Sequence, residues 1–108
     1  MNGESAWGHL DEDTGRILDI SKDFLHMYFG YNKESAKTLM KTFIEEYGDT
    51  FDEDEIHRQS AYRIAAISHY LVGLQGQREK LGHWLIESGH QNSPASALQY
   101  FRENYFQR

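Results

Sequence analysis

The chain has 108 residues, 39% of them hydrophobic and 14% aromatic, enough large apolar side chain for one self-sufficient core and too much for a disordered segment. Seventeen acidic residues against 11 Lys and Arg give a formal charge of -6, so the average surface repels a phosphate backbone and nucleic-acid binding is not expected. The lack of cysteine excludes a disulfide scaffold, thiolate-held zinc and thiol chemistry.

The opening residues MNGESAWGHLDE have neither the basic start nor the apolar run of a secretory signal, and no window approaches the roughly 18 apolar residues of a membrane span. A flexible segment over 1–12 is therefore expected to lead into a single helical domain in a chain of 1–108, with no membrane contact and the cytoplasm as its compartment. The first helix should follow a cap at Asp13 or Thr14 and run to Phe29, with Ile17, Ile20, Phe24, Met27 and Tyr28 inward and Gly30 as its left-handed terminator. Asn32 caps a second helix whose Ala36, Leu39, Met40, Phe43, Ile44 and Tyr47 share one face opposite Lys33, Lys37 and Lys41, and Gly48 should end it in the left-handed conformation.

A third helix begins near Asp52 or Asp54 and includes AYRIAAISHYLVGL, Ala61 to Leu74, which is apolar on nearly all sides and belongs at the centre of the domain. It should break near Gly76. A fourth, Gln77 to Ser88, turns Leu81, Trp84 and Leu85 inward and stops at Gly89. Ser93 as cap and Pro94 as first helical residue open a fifth, with Ala97, Leu98, Phe101 and Tyr105 on one face. The expected architecture is all-α, a compact bundle of about five helices with the third central. No strand pattern, repeat or linker interrupts it.

The most distinctive stretch is Glu45 to His57, EEYGDTFDEDEIH, with seven carboxylates and no Lys or Arg. Acids at the start of a helix favour the positive end of its dipole, but Glu45 and Glu46 sit in a last turn, where local stability would place Lys or Arg. Short connections favour antiparallel neighbours, which would gather this stretch, Asp11, Glu12, Asp13, Glu87 and His90 at one pole and Lys33, Arg78 and Lys80 at the other. One reading is a solvated acidic loop that adds solubility alone, and another is a cation loop, though DTFDEDE lacks the glycine and spacing of an EF-hand. As a docking site the pole suits a basic protein partner, with Glu45, Glu46, Asp49, Asp52, Asp54 and Glu55 supplying charge and Tyr47 and Phe51 apolar anchors. The physics is that of small acidic helical proteins that neutralise basic nuclease toxins, as bacterial immunity proteins do, an analogy of class and not of sequence.

Two other chemistries are readable. Asp54-x-x-His57 and Glu87-x-x-His90 have the carboxylate-x-x-His form used by metal-binding bundles, although both lie at helix ends and Gly89 interrupts the second. Glu79 and His83 lie one helical turn apart. RIAAISH, Arg63 to His69, resembles over seven residues the Arg-x5-His signature of HEPN-type helical ribonucleases, and that resemblance implies an Arg and His acting on an RNA phosphate; Ile64 stands where those enzymes usually carry a polar residue. The structural alternative is a buried histidine bonded to a carbonyl or carboxylate, with Arg63 paired to an acid. Ser68 and His69 are adjacent on a helix and do not face each other, and GLQGQREKLG lacks the ending of a phosphate loop. No cofactor, bound metal or catalytic residue is expected, and an interaction protein is the leading reading.

Overall fold

Side-chain caps decide where the first four helices of this chain begin. The computed structural model describes residues 10–106 and contains, among them, six α-helices and no strand: α1 Glu12–Phe29, α2 Lys33–Tyr47, α3 Glu53–Arg58, α4 Ala61–Ser68, α5 Leu81–Ser88 and α6 Ala95–Tyr105. Asp11, Asn32, Asp52 and Ser60 each accept a bond from the backbone N–H three residues on, satisfying a donor the helix leaves open. Gly30 and Gly89 close α1 and α5 in the left-handed conformation, at φ 83° and 78°.

Several boundaries differ from the sequence pattern. Residues 1–9 of the expected flexible segment lie outside the described residues, while Asp11 and Glu12 already belong to the cap and first turn of α1. Asp11 caps in place of Asp13 or Thr14 because its carboxylate reaches the Thr14 N–H at 2.7 Å. Gly48 is right-handed, with φ -61°; glycine suits it because a Cβ would stand 2.5 Å from the Ile44 carbonyl oxygen. The expected third helix is two helices, broken at Gln59 in extended conformation where Ser60 starts a new cap. Arg78–Lys80 form a 3-10 turn before α5, and Pro94 is the cap rather than the first residue of α6.

The apolar stretch ends in a π-helical turn, His69–Gly73, in which the Leu74 N–H bonds the His69 carbonyl oxygen at 2.9 Å. A side chain at Gly73 would collide with the Tyr31 hydroxyl, and one at Gly76 with the Tyr70 ring. The chain reverses at Gln75, at φ 55°, just before Gly76.

As its composition requires, α4 is buried on nearly every side: Ala61, Tyr62 and Ile64 through Ser68 are all buried. It lies along α1. His57 meets Thr14 near the start of α1 and His69 meets Phe29 near its end, so α3 and α4 run in the direction of α1. α6 runs the other way, since Ser96 bonds Tyr28, Tyr100 bonds Asp23 and Tyr105 lies under Arg16. The core of Leu18, Ile20, Phe24, Leu25, Met40, Phe43, Ile56, Ile64, Ile67 and Leu85 fills the space between. Met27 and Leu98, expected inside, are 45% and 47% exposed. The buried hydroxyls of Thr14, Ser21 and Ser68 are all hydrogen bonded, to His57, to the Ile17 carbonyl and to the Ala65 carbonyl. A radius of gyration of 13.0 Å matches a close-packed chain of this length.

Candidate interaction surface

The acidic stretch is divided by the fold into residues with internal work and residues without. Asp52 caps α3 through the Glu55 N–H at 3.0 Å. Glu55 accepts from the Gln59 amide at 2.7 Å and lies 3.7 Å from Arg58. Glu53 accepts the Asp11 N–H at 2.8 Å, fastening the start of α1 to α3. Glu45, Glu46, Asp49 and Asp54 are exposed and make no ion pair among the described residues. The last turn of α2 contains no basic residue to oppose its dipole.

The aromatic residues of the stretch face both ways. Tyr47 stacks on Phe43 at 5.8 Å and Phe51 lies 5.4 Å from the same ring, so each is half-buried with one side on the core. Arg78 covers the Tyr47 ring at 5.7 Å and donates to the Thr50 hydroxyl. Arg78 therefore sits beside the acidic stretch rather than at the opposite pole. The short 3-10 approach to α5 carries it there.

The start of α1 joins α3 as the antiparallel argument expects. Seven carboxylates, Asp11, Glu12, Asp13 and Asp52 through Glu55, gather at this pole with only Arg16 and Arg58 among their neighbours in those two elements. Bonding to the Thr14 backbone and side chain, then the nearby His57, holds the Asp11 carboxyl below its ordinary value. His57 shares a 2.9 Å bond with the Thr14 hydroxyl and lies 4.0 Å from Asp11.

Glu87 and His90 were expected at that pole, but His90 is at the other end of α1. It packs against Phe29 at 4.9 Å and Trp84 at 5.4 Å, and bonds the Tyr62 hydroxyl at 2.7 Å. Eighteen helical residues, about 27 Å at 1.5 Å each, separate the two ends. Asp54, His57, Glu87 and His90 thus do not meet, and among the described residues no three His, Asp or Glu side chains are placed to hold a metal ion. Glu79 is in the 3-10 turn, so His83 pairs instead with Glu87, at 3.2 Å.

The Arg63 and His69 pair is likewise separated in role. His69 bonds the Tyr31 hydroxyl at 2.6 Å, not a carbonyl or carboxylate, and packs near the rings of Phe29 and Trp84. Arg63 makes no ion pair among the described residues, and its Nε is buried without a hydrogen-bond partner. Burial lowers the affinity of both His69 and His90 for a proton, with His90 adding a further repulsion at His69. The Tyr31 and Tyr62 hydroxyls are pushed up by burial, so each Tyr–His pair is neutral at pH 7.

One feature that no sequence pattern signals lies beside the acidic pole. A groove of about 310 Å³ opens between α1, the α3–α4 junction and α6, floored by Ile17, Phe24 and Ala97 and edged by His57, Gln59 and Leu98. It exists because the chain breaks at Gln59 and Ser60 instead of continuing as one helix, and the Ser93 hydroxyl ties that break to the α5–α6 loop through Ser60, at 3.1 Å. Among the described residues, no helix is long and apolar enough to cross a membrane. The chain matches no protein-family model, and no match is found among curated proteins or solved structures.

Proposed function

We propose that this protein is a small interaction domain whose acidic pole recognises a basic protein partner, in the manner of an immunity protein docking on a cationic toxin. The observation that carries the reading is that Glu45, Glu46, Asp49 and Asp54 are exposed and make no ion pair among the described residues, while the neighbouring Asp52, Glu53 and Glu55 are engaged by the fold. Two of the four sit in the last turn of α2, where a carboxylate opposes the dipole, so their placement costs stability without an internal gain. Concentrated charge of one sign raises the encounter rate with an oppositely charged partner and fixes its orientation. The outer sides of Tyr47 and Phe51 add apolar contact at short range.

The test is affinity capture with the native chain and with a double variant, Glu45→Lys and Glu46→Lys, followed by association kinetics on the recovered protein. A partner of high pI, captured by the native chain, lost with the variant and associating more slowly as salt rises, supports the reading. Capture that is indifferent to the variant removes these residues from the site.

A further inference from the structure

We infer that the groove beside the acidic pole receives a bulky apolar side chain from a basic amphipathic segment of the partner; the inference rests on the reading just given and names what that partner presents. Two of the groove's edge residues are in direct touch with carboxylates: His57 lies 4.0 Å from Asp11, and the Gln59 amide is bonded to Glu55. The groove is thus an apolar slot with no charged residue in its lining, whose α3 edge stands next to Asp11 and Glu55, two of the seven carboxylates of the pole. An acidic occupant would gain from the slot and lose at its edge, a neutral one would gain from the slot alone, and one bearing Lys or Arg beside an apolar anchor gains at both.

Size narrows the occupant further. About 310 Å³ is at the low end of the clefts, roughly 300 to 1,000 Å³, that accept small ligands, and suits one or two side chains rather than a whole helix. Its floor is built: Phe24 and Ala97 are each 1% exposed and supported by the core, so an entering group meets a preformed apolar surface. Leu98, 47% exposed on α6, lines the groove and leaves apolar surface in water for an occupant to cover. Polar edges at Ser60 and Gln59 offer hydrogen bonds to the backbone of an incoming segment.

The experiment uses three synthetic helical peptides of one length: Lys with Leu at helical spacing, the same with each Leu replaced by Ser, and the same with each Lys replaced by Glu. Binding to the native chain is followed by amide chemical shifts and titration calorimetry. The inference expects saturable binding of the Lys/Leu peptide with shifts concentrated at Gln59, Ala97 and Leu98, about tenfold weaker binding of the Ser peptide, and none of the Glu peptide. Ala97→Leu, which fills the slot, should weaken the Lys/Leu peptide by about tenfold as well; because the peptide changes leave the protein intact, the test survives should that variant fail to fold. Equal binding of the Leu and Ser peptides, with shifts confined to α2 and α3, overturns the groove and leaves the acidic face standing. Binding of the Glu peptide as tight as the Lys peptide overturns the basic occupant, and loss through Ala97→Leu without loss through Glu45→Lys and Glu46→Lys shows that the groove acts without those two acids.

Discussion

The two ends of α1 solve the same problem in opposite ways. At its C-terminal end, polar groups are drawn inward and neutralised: His69 and His90 are each bonded to a tyrosine and packed against Phe29. At its N-terminal end, charge is gathered and left facing water, with only part of it used in caps and short ion pairs. The first arrangement gains from excluding water and the second from keeping it, so they respond differently to mutation, pH and salt. One end is built for cohesion and the other, on the function proposed above, for recognition.

The strongest way to break the contrast is to empty the cohesive end. Phe24 touches the rings of Tyr28, Tyr62 and Tyr100, and Phe24→Ala should cost about 3 to 5 kcal/mol in chemical denaturation, enough to threaten folding. Gly73→Ala comes next: the added methyl must displace the Tyr31 hydroxyl from His69, for about 1 to 3 kcal/mol, with a change in the His69 imidazole resonances. Ser60→Ala, which removes the α4 cap on the Arg63 N–H, should cost about 1 kcal/mol and loosen the groove edge, seen as faster amide exchange at Arg63.

Acidity separates the two ends without mutation. His69 and His90 hold their protons less tightly when folded than in the unfolded chain, whose value is about 6.5. Below that value the unfolded state takes up protons the native state refuses, so their contribution to stability is full above about pH 6.5 and falls as pH drops through their folded values. Asp11, whose folded value is also lowered, continues the same trend at more acidic pH. Denaturation midpoints between pH 7.5 and 5 should therefore decline, and midpoints flat across that range, outside the titration of carboxylates, would contradict the Tyr–His account.

The smallest effect sharpens the contrast most. Glu45→Lys and Glu46→Lys should stabilise α2 by a few tenths of a kcal/mol each, since a cation suits the end of the dipole. Stabilisation accompanied by lost binding is the signature of residues kept for recognition; stabilisation with binding intact leaves them as surface charge.

How much of this was legible in the sequence follows the range of each interaction. Asn32, Gly30 and Gly89 are local signals, and they end or begin helices as expected. The all-round apolar run from Ala61 identified a central helix because burial on every side needs no knowledge of neighbours. Ser60 was readable as a cap three residues before Arg63, but the helical pattern on either side masked it. The bonds of Tyr31 to His69 and Tyr62 to His90 span 38 and 28 residues and leave no local trace. The same holds for Arg78 against Tyr47 and for the groove, whose far wall is α6. Charge segregation at the α1–α3 pole was visible in the chain, while the slot beside it required the fold.

The π-helical turn at His69–Gly73 has a consequence for how this domain tolerates change in length. Its wide loop of backbone holds slack that a regular helix lacks, at the point where His69 bonds Tyr31 and Tyr70 stacks on Trp84. Removing a single residue here would turn the wide turn into a regular one and take up that slack, whereas the same deletion inside α1 would rotate everything downstream by about 100°, the angular step of a helix with 3.6 residues per turn. The most irregular turn in the domain is therefore the place where the loss of one residue disturbs the rest least.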